Sequence, residues 1–125
     1  MIQTILKRFL VMLTLTAGFA TSAQAAELQW SFDNESNGRI SIKFFSDVRD
    51  WEWPGNNQVY YVDPRDGVRT MTLSCNQGER ICYGAWLDSN PNYIWGVGRT
   101  GNSGCRSCCY VCGGGRTETI ELISN

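Results

Sequence analysis

Six cysteines constrain this chain more than any other feature, and four of them fall within Cys105–Cys112 of the stretch GCRSCCYVCGGG (Gly104–Gly115). Three chemistries suit such density: a metal site, a redox centre or a disulfide staple. The compartment decides among them, and the N-terminal residues speak to the compartment. Lys7 and Arg8 precede the apolar run FLVMLTLTAGF (Phe9–Phe19), and TSAQA follows with Ala23 and Ala25 at the small-residue positions of a cleavage site. A charged start, a short apolar core and an A-x-A end form a secretory signal peptide. The run is shorter than the ~20 residues that span a bilayer, so cleavage after Ala25 is expected rather than a stable membrane anchor. Residues 1–25 are then a leader and 26–125 a single domain, periplasmic or secreted. An even number of cysteines in a short exported chain implies a disulfide framework, because such compartments are oxidising.

The competing chemistries lack their usual surroundings. The pairs Cys105/Cys108 and Cys109/Cys112 are fused, whereas structural zinc sites bring two C-x-x-C knuckles from separate loops. A thioredoxin-like centre needs a βαβ context, and none is visible. The chain has no histidine, which removes histidine-based triads, general bases and zinc ligands. Cys75, Cys82, Cys105, Cys108, Cys109 and Cys112 are therefore all expected in disulfides, with no metal and no cofactor. The connectivity stays open, since six cysteines allow about 15 pairings. Cys75 and Cys82 bracket NQGERI, read as a hairpin, and either bond across it or each tie it to the C-terminal cluster. A Cys108–Cys109 bond is disfavoured, because neighbours on a strand point to opposite faces.

The rest of the domain reads as short strands separated by turn chemistry. LQWSF places Leu28, Trp30 and Phe32 on one face; RISIKFFS does the same for Ile40, Ile42 and Phe44. QVYYV, then the turn DPRDG (Asp63–Gly67), lead into VRTMTLSC, and RICYGAW, YIWGV and TETIELIS complete seven candidate strands. No segment after Ala25 sustains a helical apolar period. The expected fold is all-β: a small antiparallel β-sandwich, with a small closed β-barrel as the alternative, stabilised by disulfides.

Function has to be sought in what the cysteines leave. Without the leader the chain carries nine basic and twelve acidic residues, a net charge of −3, which offers no footprint for nucleic acid. The formal G-x-G-x-x-G of GVGRTG (Gly96–Gly101) is followed by no helical pattern, so its glycines read as turns or bulges. Gly84 and Gly96 mark bulges or close approach of another backbone. DVRDWEWPG (Asp47–Gly55) sets Asp47, Asp50 and Glu52 beside Trp51 and Trp53. Paired carboxylates with aromatic platforms are what a glycoside hydrolase uses. Non-catalytic sugar binding demands less: one or two exposed rings with polar neighbours such as Asn56, Asn57 or Asp88. Trp86 and Trp95 are read as an aromatic cluster across a hairpin.

At WPG (Trp53–Gly55), GERICYGAW (Gly78–Trp86), WGVG (Trp95–Gly98) and CRSCCYVCGGG (Cys105–Gly115) the chain resembles a group of short exported bacterial proteins of unknown function. They share a WPG turn, CYGAW and WGVG strands and a C-x-x-C-C-x-x-C tail. The resemblance covers Trp53 to Gly115 and implies bacterial export and disulfides, but no activity and no functional residue.

These readings combine into an expected non-catalytic binding protein that presents Trp51, Trp53, Tyr60, Trp86 and Trp95 to a glycan, peptide or protein partner. The alternatives are a carboxylate-dependent hydrolase at Asp47, Asp50 and Glu52, and an envelope inhibitor or toxin-immunity protein.

Overall fold

The computed structural model describes residues 24–124, so residues 1–23 of the expected leader lie outside the described part. The first strand, β1 (Ala25–Glu35), alternates strictly and buries Leu28, Trp30, Phe32 and Asn34. In β2 (Ile40–Ser46) Ile40, Ile42 and Phe44 are buried on one face, and Ser41 on the other face is buried too. Two short strands, β3 (Glu52–Trp53) and β4 (Tyr60–Val62), pair antiparallel with β2. There follow β5 (Val68–Asn76), β6 (Arg80–Leu87), β7 (Asn90–Gly96), β8 (Cys109–Val111) and β9 (Gly115–Ile123). No helix occurs among the described residues.

The strands form two sheets. The smaller has the order β5-β1-β9; the larger runs β3-β2-β6-β7, with β4 also on β2 and β8 also on β6. No strand of one sheet pairs with a strand of the other, so the fold is the expected sandwich and the closed-barrel alternative is not realised. All seven expected strands are present. The two extra ones, β3 and β8, are two and three residues long, too short to display a period.

Two details depart from the expected pattern. The turn at Gln77–Gly78 is not a hairpin: β5 and β6 belong to different sheets, so it is a corner where the chain changes layer. In addition, β9 runs parallel to β1, from Leu28 opposite Gly115 to Glu35 opposite Ile123. The cause is where the chain crosses back. Gly113 N–H donates to Glu27 O near the start of β1, so a strand entering there can only run in the direction of β1.

Between the sheets lies an aromatic core centred on Trp30. Its ring centroid is 4.8 Å from Phe44, 5.1 Å from Tyr110 and 6.0 Å from both Phe32 and Tyr83. Such pairs contribute about 0.5–1.5 kcal/mol each beyond area burial. The open sides of the sandwich are laced by two other indoles. Trp53 Nε1–H, on edge strand β3, donates to Ser74 O of edge strand β5 at 2.9 Å. Trp95 Nε1–H, on edge strand β7, donates to Ile123 O of edge strand β9 at 3.0 Å.

Three disulfides complete the frame and leave no free cysteine among the described residues. Cys75–Cys112 joins β5 of the smaller sheet to the segment after β8, tying one layer to the other. Cys82–Cys109 joins directly opposed residues of β6 and β8, with Cα atoms 4.0 Å apart. Cys105–Cys108 closes the loop before β8. Of the two local options, the corner cysteines thus each tie to the C-terminal cluster. Cys108 and Cys109, adjacent in sequence, bond in different directions.

Candidate functional site

The outward face of the larger sheet collects the residues with unspent chemistry. Because Ile40, Ile42 and Phe44 point inward, Ser41, Lys43 and Phe45 point outward. The register sets Ser41 opposite Trp86, Lys43 opposite Gly84 and Phe45 opposite Cys82. From the flanks, β4 brings Tyr61 opposite Ser41 and β3 brings Glu52 opposite Phe45.

The segment after β7 folds back over this face. Val97 N–H donates to Tyr83 O at 2.9 Å, Ser103 N–H to Val97 O at 3.0 Å, and Tyr83 N–H to Cys108 O at 3.0 Å. This close approach explains Gly84: a Cβ there would be driven into the backbone carbonyl of Gly98. Gly101 lies against the Phe45 ring in the same way, and its φ of 79° favours glycine independently. The G-x-G-x-x-G match is therefore a glycine-built flap, with no helix following it. The flap carries Arg99 and Thr100 to Trp86, with the Arg99 guanidinium carbon 5.8 Å from the ring centroid.

Three adjoining hollows mark the part of this face around Asn57. The first, of about 380 Å³, is lined by Asp50, Trp51, Glu52, Pro54 and Asn57 among others. The second, of about 460 Å³, lies among Lys43, Asn57, Val59, Trp86, Arg99 and Thr100. The third, of about 550 Å³, takes in Ser41, Asn57, Gln58, Tyr61, Trp86 and Asp88. Asn57, in a left-handed conformation with φ 58°, borders all three, and Trp86 stands between the second and third. The three adjoin at Asn57 and form a shallow groove bordered by Trp51, Trp86 and Tyr61.

Lys43, Glu52 and Asp88 in the groove are held by ion pairs. Lys43 Nζ lies 3.2 Å from Glu52 Oε1. Arg39 Nε lies 2.6 Å from Asp88 Oδ2, a hydrogen bond that raises the arginine's pKa, while its guanidinium stacks over Tyr61 at 4.1 Å. Ser41 Oγ–H also donates to Asp88. Beside the first hollow, Arg49 lies 4.9 Å from the Trp51 centroid and 5.7 Å from that of Trp53. Its guanidinium grips the Glu79 carboxylate through Nε at 2.5 Å and Nη2 at 3.0 Å. Burial raises the pKa of Glu79, but hydrogen bonds from Arg49, Ser46 and the Asn76 amide outweigh it and lower it to about 2.

The structure sorts the five aromatic residues expected to bind. Trp51, half exposed, and Trp86 border the groove. Trp53, Tyr60 and Trp95 do not; they face the interior. Trp53 is 7 % exposed and laces a seam. Tyr60 packs on Phe44 with centroids 5.7 Å apart, and burial raises its pKa. Trp95 stands opposite Ala85, inward, while Trp86 stands opposite Ile94, outward. The expected Trp86–Trp95 cluster therefore does not form: the two rings lie on opposite faces of the sheet.

The three carboxylates part as well. Asp47 pairs with Arg80, away from the groove, and Glu52 pairs with Lys43; only Asp50 and Glu52 line the same hollow. Tyr61, Lys43 and Arg99 were not picked out in the sequence as candidates. For Tyr61 the signal was present: Val62 must face the core, which turns Tyr60 in and Tyr61 out. Arg99 gave none, because its position depends on the flap. The chain matches no family model, no curated protein and no solved structure. Among the described residues no helix is long and apolar enough to cross a membrane.

Proposed function

We propose that this is an exported, non-catalytic glycan-binding protein whose site is the groove from Trp51 past Trp86 to Tyr61. One observation carries the reading: Asn57 borders all three hollows, so three partly exposed rings and their polar neighbours lie side by side on one face. Flat rings offer a sugar's C–H face an apolar platform, while Asn57, Gln58 and the carboxylates supply hydrogen-bond partners for its hydroxyls. Export, to the periplasm or beyond, is supported by the three disulfides.

A hydrolase would have to work with Asp50 and Glu52 alone, since Asp47 is held by Arg80 outside their hollow. Binding without turnover is the simpler use of the same cleft. The test is a glycan array followed by calorimetry on the best ligand. Trp86→Ala should weaken binding by tenfold or more, as truncation of a central aromatic anchor costs about 2 kcal/mol. Thr72→Ala, on the smaller sheet, should change nothing. No glycan bound, together with capture of a protein partner from envelope extract, would overturn the reading.

A further inference from the structure

We infer that the hollow between Trp86 and Arg99 receives a carboxylate of the bound glycan, so that the ligand is a saccharide in which a uronic acid alternates with neutral rings. This rests on the glycan reading above and narrows its substrate class. The six lining residues, Lys43, Asn57, Val59, Trp86, Arg99 and Thr100, include two cations and no carboxylate. The chain as a whole holds twelve acidic residues against eleven basic ones, so the hollow's charge is local rather than a share of a general excess.

The two cations differ in a way that suits an incoming anion. Lys43 is partly buried and already engaged by Glu52, so it is held in place at the hollow's edge. Arg99 is exposed, lies over the Trp86 ring with its guanidinium carbon 5.8 Å from the centroid, and makes no ion pair among the described residues. Its planar fork is free to meet a carboxylate on two oxygens while the sugar ring bearing it rests at Trp86. Thr100 and Asn57 add neutral hydrogen-bonding groups beside them.

The two adjoining hollows carry carboxylates, Glu52 being paired with Lys43 and Asp88 with Arg39. Asp50 and Glu52 line the first, and Asp88 lines the third. A polymer with a carboxylate on every ring would set anions against these residues, whereas an alternating one places neutral rings there. The groove thus favours an acidic ring at Arg99 with neutral rings beside it.

Calorimetry on the intact protein with three hexasaccharides separates the possibilities: a hyaluronan hexasaccharide, its carboxyl-reduced form, and hexagalacturonate. The alternating acid should bind tightest, about tenfold over the reduced form, the usual scale for one charged hydrogen-bonded contact. In Arg99→Gln that preference should vanish, the acid and its reduced form binding alike. Should Arg99→Gln lower the melting temperature, Lys43→Gln provides the second variant and should shrink the same preference. If the reduced form or hexagalacturonate binds the unaltered protein as tightly, or Arg99→Gln keeps the preference, this inference falls and the glycan reading stands. If no hexasaccharide binds, or a hexaglutamate peptide binds as tightly as the best of them, both fall.

Discussion

At neutral pH the carboxylate of Glu79, with 1 % of its side chain exposed, remains ionised at the corner between β5 and β6 because Arg49, Ser46 and the Asn76 amide surround it. Its folded-state pKa of about 2 lies below the ordinary value of 4.5. A depressed carboxylate contributes stability that is present above its unfolded pKa and lost as pH falls through the folded one. The window here is roughly pH 5 down to pH 2, and the contribution on the order of 3 kcal/mol. Acid titration followed by circular dichroism should show this loss, and Glu79→Gln should flatten the profile in that window while lowering stability at neutral pH. An unchanged acid profile in the variant would show that other groups carry it. Single residues also show what alternation reveals and what it hides. Tyr60 and Tyr61 are adjacent and chemically identical, yet one packs on Phe44 and the other receives Arg39. Only the phase set by Val62, buried opposite Ile40, separates them.

Among the elements, the strands with clear period two were legible because burial on one face imposes it; the layer each strand joins was not. Gln77–Gly78 has the chemistry of a hairpin turn, but pairing choices made by β1 and β2 send β5 and β6 to different sheets. The flap from Val97 to Cys108 was legible only as glycines. Its placement over Gly84 depends on a contact between residues of separate elements. Gly84→Ala tests that contact: a methyl group would collide with the Gly98 carbonyl, which is backbone and cannot rotate away. The variant should lose about 1–3 kcal/mol of stability, the usual cost of overpacking, and should weaken binding through displaced Arg99 and Thr100. Gly104→Ala, where a Cβ meets nothing within 4 Å, is the matched control. The disulfides grade in the same way by the loops they close. On the chain-entropy model, the Cys75–Cys112 separation of 37 residues corresponds to about 4 kcal/mol and the Cys105–Cys108 separation of 3 to about 2 kcal/mol. Paired serine substitutions should therefore lower the melting temperature more at the first bond than at the second; equal shifts would tell against the entropic account.

For the molecule as a whole, the tryptophans divide into those that hold the sandwich shut and those that border its groove, and the sequence alone could not make that division. Trp51 and Trp53 sit two residues apart, where alternation would place both on one face. The chain irregularity before β3 instead leaves Trp51 outside the strand and half exposed, while Trp53 reaches Ser74 on the other sheet. Trp95 and Trp53 lie at the two ends of the larger sheet's path and donate to the two edge strands of the smaller one, so each closes one open side. On the proposed reading, this arrangement separates stability from binding. Trp53→Phe and Trp95→Phe keep most of the apolar area but remove a hydrogen bond and leave a carbonyl without its donor. Each should cost on the order of 1–2 kcal/mol in stability, with ligand affinity nearly unchanged at a temperature where the variants are folded. Trp86→Ala should do the reverse, since its ring is only partly buried on the outer face. Chemical denaturation and calorimetry on the same preparations measure both quantities. If Trp95→Phe lowers affinity as much as Trp86→Ala does, the seam and the groove are one coupled unit, and the site is not confined to the outer face of the larger sheet.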